Sequence, residues 1–235
     1  MAIRDDLLPG LSTRNVLTTF FGVLAPTAIV ILYLALTGVE YPSPHLPGNI
    51  TLYVMKDYVV IAIIALGTYF FALKGPDIAW SAIGFRRCSV DWIVRAFLLA
   101  VILFGLHLAH EVDLKWLGAG SVLLQPELAD RTVLYGGSTT LAVLLGFAIV
   151  ILVPVVHEIF LRGIFFAWLR RNLDFFLAAV ASSIVFGVIH FEIVRYGPAM
   201  VVSIFAAYLY ERSGSLWPSI AFHVSINAFY LVTLI

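Results

Sequence analysis

The chain alternates long apolar runs with short polar breaks. A helix needs about 20 mostly apolar residues to cross the hydrocarbon core of a bilayer. Such runs fall at about 16–36, 58–73, 92–109, 140–170, 175–191, 198–210 and 217–235. They predict an all-α, polytopic transmembrane bundle of about seven helices, forming one membrane domain over 1–235 with a polar-motif core at about 140–235. The run at 140–170 is long and contains Pro154, followed by Glu158 and Arg162. An interior proline loses a hydrogen bond and bends a helix, so this run is either one kinked helix or two in sequence, and counts as one crossing. The first run exceeds a signal-peptide core of about 7–15 residues and is expected to stay attached as an anchor. The polar stretch at about 110–139 is expected to be an outer loop with a short interfacial helix.

Composition agrees with a bilayer as solvent: the 235 residues are 62% hydrophobic and 12% charged. Fourteen basic and 14 acidic residues give no net charge, so no field recruits nucleic acid. The lone Cys88 excludes an internal disulfide. Short cytoplasmic loops are enriched in Lys and Arg. With a cytoplasmic N-terminus that side carries Arg4, Arg14, Lys74, Arg86, Arg87, Arg95, Arg170, Arg171 and Arg212, against Lys56, Lys115, Arg131 and Arg195 opposite. That orientation is the expected one.

Ionisable groups within spans are costly and usually face a bundle interior or a wet cavity. The fourth run reads VPVVHEIFLRGIFF, with His157, Glu158 and Arg162; Glu158 and Arg162 are four apart and share a face. The fifth reads SSIVFGVIHFE, placing Phe186 and His190 four apart, and the seventh reads SIAFHVSINAFY, placing His223 and Asn227 one turn apart. Alone, each has a plain reading: a bundle-locking ion pair, a hydrogen-bonded core histidine, polar glue between helices. Counted at about 1.5 Å per residue from the cytoplasmic ends, however, all three sets lie at mid-membrane depth. A carboxylate with two imidazoles in a dry pocket can activate water, and an amide can donate to an oxyanion. His107 and His110 fit a membrane interface, and His45 a loop.

HEIFLR at 157–162, FGVIH at 186–190 and HVSIN at 223–227, with the YLYERSGSLWPSIAFH lead into the last helix, resemble the CAAX-protease and bacteriocin-processing family of intramembrane glutamic proteases, which includes the type II CAAX prenyl endopeptidases. The resemblance covers about 150–230 and reaches back to IGFRR at 83–87. It implies a metal-independent endopeptidase without cofactor, in a prokaryotic cell membrane, acting on a membrane-anchored peptide or protein. Its implied catalytic set is His157, Glu158, Arg162, His190, His223 and Asn227. Water attacks the scissile carbonyl, Glu158 or His157 takes its proton, and His190 helps hold the water. His223 with Asn227 stabilises the oxyanion, and Arg162 anchors the helix.

His157 departs from the family pattern, which has two adjacent glutamates and assigns the first to water activation. Glu158 lies about 100° further around the helix and has Arg162 as a partner. Three readings are open: Glu158 as base, His157 as base, or an inactive relative serving as a membrane adaptor or immunity-type protein. A fourth is an open zinc site of His157, His190 and His223 with Glu158 as base, although Leu161 occupies the position four after His157 where the usual helical zinc motif has its second histidine.

Overall fold

The computed structural model describes residues 11–36, 50–116, 138–188 and 193–234. They form seven helical rods and, among the described residues, no strand. Helix α1 spans Thr13–Leu36; α2 spans Ile50–Gly67 and continues as a π-helical stretch, Thr68–Lys74; α3 spans Val90–Trp116. The motif-bearing α4 runs unbroken over Thr139–Arg170. Helices α5, α6 and α7 span Phe175–Val188, Ile193–Ser213 and Leu216–Leu234. The protein is a helical membrane bundle. Among the described residues, Val54–Lys74, Val90–Ala109 and Thr139–Arg170 are long and apolar enough to span a bilayer, and Phe175–Gly187 and Leu216–Val232 are shorter apolar helices. Its outer surface is apolar: Ile29 and Val143 are each 65% exposed and Phe176 is 70% exposed, as lipid contact requires.

Of the two readings of the 140–170 run, the structure takes the single helix. Pro154 does not end it. Instead π-helical stretches flank the short α-helical piece Val153–Glu158, one at Ala148–Leu152 and one at Ile159–Phe166. Widened turns accommodate the missing proline N–H without losing the rod. The expected outer loop begins later than predicted, because α3 continues to Trp116; the interfacial helix predicted there falls on residues 117–137, outside the described residues.

Helix α7 is central, packing on α3, α4 and α6, while α5 packs on α6 and α4 and α1 packs on α2. Small residues let the helices approach closely. Ser219 on α7 donates to the Ala206 carbonyl on α6 at 2.8 Å. A Cβ on Gly163 would lie 3.2 Å from the Ile83 carbonyl oxygen.

The segment between α2 and α3 fixes the start of α7. Gly84 turns with φ +103°, a conformation that disfavours a side chain. Its carbonyl accepts from Leu216 N–H at 2.8 Å, satisfying a donor that opens a helix. Ser215 Oγ donates to the Arg86 carbonyl at 2.7 Å, and Tyr210 Oη to the Ile83 carbonyl at 3.1 Å. The IGFRR segment thus sets the level of α7, and with it His223 two turns above.

Candidate active site

The site forms where α4, α5, α6 and α7 meet. Glu158, Arg162 and His223 are 0%, 1% and 3% exposed. Charges so deep are tolerated when paired and hydrogen-bonded. Glu158 divides its carboxylate between two helices. Oε2 lies 3.2 Å from Arg162 Nε on α4, an ion pair without hydrogen-bond alignment. Oε1 lies 2.8 Å from His223 Nδ1 on α7. Arg162 Nη2 donates to Ser203 on α6, at 2.7 Å to its carbonyl and 2.8 Å to its hydroxyl. Arg162 Nη1 is buried without a hydrogen-bond partner among the described residues.

Phe186 on α5 joins the imidazoles and the guanidinium. Its ring stands edge-on to His157 at 5.6 Å and to His223 at 5.6 Å between centroids, and Arg162 Cζ lies 5.4 Å from its centroid. The His157 and His223 rings are 6.0 Å apart, inclined by 35°. Consecutive residues of α4 therefore both reach His223. The 100° between them does not separate them: Glu158 meets His223 Nδ1 and the His157 ring lies beside the same imidazole.

Of the six residues singled out by sequence, the structure gathers the buried Glu158, Arg162 and His223 and the half-buried His157 into one cluster. Asn227 lies one turn further along α7 and donates from Nδ2 to the Ile149 carbonyl at 2.8 Å, within the π-helical stretch before Pro154. His190 lies outside the described residues. His107, away from the cluster, packs against Tyr230 at 5.3 Å between centroids. Sequence reasoning passed over Ser203, whose only signal is a lone serine in the apolar run VVSIFAAY. Among the described residues no group of three His, Cys, Asp or Glu is arranged to hold a metal ion.

Chemically, a buried carboxylate in contact with a guanidinium and an imidazole can fix a tautomer and offset the charge of an imidazolium. A second imidazole stands close by.

Residues 139–229 match the family described as type II CAAX prenyl endopeptidase Rce1-like. The chain is also 30% identical over 79 residues to a Bacillus subtilis (strain 168) protein described as "Putative membrane peptidase YdiL", an alignment covering 34% of this chain and 32% of that relative. The chain thus spans about a third of the length of the curated relative it matches. No solved structure matches it.

Proposed function

We propose that the chain, whose residues 139–229 match the type II CAAX prenyl endopeptidase Rce1-like family, is a membrane-embedded endopeptidase that cleaves a membrane-anchored peptide or protein, at or within the bilayer, by activated water. The observation that carries this reading is the fully buried Glu158 carboxylate, bonded to His223 on another helix and adjacent in sequence to His157. Helix packing alone gives no reason for an Arg–Glu–His line at this depth, since small residues already supply the close approach.

Glu158 Oε1 is taken by His223 Nδ1 and Oε2 faces Arg162, and in this reading the water's proton passes to an imidazole, His157 or His223. Water oxygen adds to the scissile carbonyl carbon and negative charge develops on the carbonyl oxygen. An amide carries two donors; Asn227 keeps a second N–H beside the one given to Ile149, and that donor stabilises the oxyanion. His190 helps hold the water. The residues of this line use no metal, and the N-terminus is cytoplasmic by the distribution of Lys and Arg.

A second reading is favoured by one observation, the histidine at position 157 where the family has its first glutamate: a membrane adaptor or immunity-type protein that keeps the fold without cutting. Cleavage of a panel of membrane-anchored peptides by lipid-reconstituted protein separates the two. The endopeptidase reading predicts cleavage by the present sequence and its loss in Glu158→Gln. Silence of the present sequence, with cleavage gained in His157→Glu, supports the adaptor.

A further inference from the structure

Four side chains on three helices lie end to end through the buried site: Ser203 on α6, Arg162 and Glu158 on α4, and His223 on α7. Ser203 holds Arg162 Nη2 with its hydroxyl at 2.8 Å and its carbonyl at 2.7 Å. Arg162 Nε stands 3.2 Å from Glu158 Oε2, and Glu158 Oε1 stands 2.8 Å from His223 Nδ1. We propose that this line is a positioning relay, resting on the endopeptidase reading above. It fixes His223 with a proton on Nδ1 and the lone pair on Nε2, so that His223, and not Glu158, accepts the proton of the attacking water. Ser203 and Arg162 are positioning residues acting through Glu158.

An ionised carboxylate only accepts hydrogen bonds, and Glu158 is ion-paired with Arg162. The 2.8 Å contact therefore requires the proton on Nδ1. Neutral imidazole carries one proton, so Nε2 holds the lone pair. Nδ1 is taken by Glu158, so Nε2 is the ring nitrogen that can take the proton. Phe186 and His157 wall the ring, with centroids at 5.6 and 6.0 Å, and restrict its rotation.

In the reaction, the water O–H electron pair forms the new bond to the carbonyl carbon and the C=O π pair moves to oxygen. The proton goes to Nε2, and the imidazolium formed lies against Glu158. As the C–N bond breaks, Nε2 returns the proton to the amine nitrogen. One water is consumed, and His223 ends neutral. The charge developed on the ring is offset by a carboxylate already in place, which is where preorganised electrostatics act most strongly.

The test is nitrogen NMR of the full chain, labelled with ¹⁵N-histidine in lipid nanodiscs, with the His223 signals assigned through His223→Gln. Neutral His223 is predicted to carry its proton on Nδ1, and both Glu158→Gln and Ser203→Ala to shift it toward Nε2–H. Ser203→Ala keeps the carbonyl contact and the fold, and kcat for peptide cleavage falls about tenfold at unchanged KM. A wild-type His223 protonated on Nε2, or a tautomer indifferent to both substitutions, overturns the relay whatever the cleavage assay gives. Unchanged kcat in Ser203→Ala overturns its part in catalysis. A proton on Nδ1 that responds to both substitutions, with no cleavage by any variant, supports the relay and overturns the endopeptidase reading instead.

Discussion

Helix α4 contributes an arginine to each of two buried arginine–glutamate pairs, about 12 Å apart along the rod, and the pairs are built differently. Arg170 meets Glu211 of α6 bidentately, Nε to Oε2 at 3.1 Å and Nη2 to Oε1 at 2.7 Å, and gives Nη1 to the Leu173 carbonyl at 2.6 Å. All three nitrogens are satisfied and the carboxylate is used on its own arginine. Such a pair is a strap: bidentate geometry fixes two helix ends and leaves no capacity over. Arg162 meets Glu158 through one 3.2 Å contact, leaves Nη1 without a hydrogen-bond partner among the described residues, and shares the carboxylate with His223. Nearly all buried polar groups in native proteins are satisfied. The same two residue types, one pair closed and one left incomplete, separate a fastening from a site.

Four substitutions probe the difference between strap and site. Arg162→Met leaves Glu158 as an uncompensated buried charge, and lowers unfolding stability by about 3–5 kcal/mol, measured by denaturant titration in detergent. Glu158→Gln preserves shape and should fold, yet cleavage falls by about a hundredfold or more in the peptide assay. Arg170→Met strands a carboxylate at a helix end where Glu211 is still 8% exposed, so it costs less, about 1–3 kcal/mol. Cleavage per folded molecule is then unchanged, which distinguishes strap from site. Gly84→Ala places a Cβ 2.6 Å from Tyr210 Cε2 at φ +103°, costing about 1–2 kcal/mol for backbone conformation. It also loosens the IGFRR clip on α7, seen as a lowered thermal midpoint.

The spans were legible in sequence because lipid demands apolar runs of fixed length, and the polar motifs were legible because ionisable residues are conspicuous within such runs. Other features left no such mark. The π-helical stretches at Ala148–Leu152 and Ile159–Phe166 use residues equally at home in an α-helix, and Pro154 left a kinked helix and a pair of helices both open. Helix α3 outran its apolar segment because HEVDLKW carries no helix breaker, so hydropathy marked the membrane's edge and not the helix's end. Arg170 read as a loop charge that sets orientation, and nothing in sequence paired it with Glu211. Ser203, a lone serine in an apolar run, was passed over. The Glu158–His223 contact was the least readable, since helical geometry turned Glu158 away from His157 and only the placement of α7 brings both to the same imidazole.

In the proposed mechanism Glu158 and His223, on different helices, act as one unit. A double-mutant cycle over Glu158→Gln and His223→Gln, read as kcat/KM for peptide cleavage, decides whether they do. The double variant should lose no more than the more damaging single change, because either substitution already disables the pair. Losses that multiply across the two positions would instead mark Glu158 and His223 as independent residues, and the shared unit would be refuted.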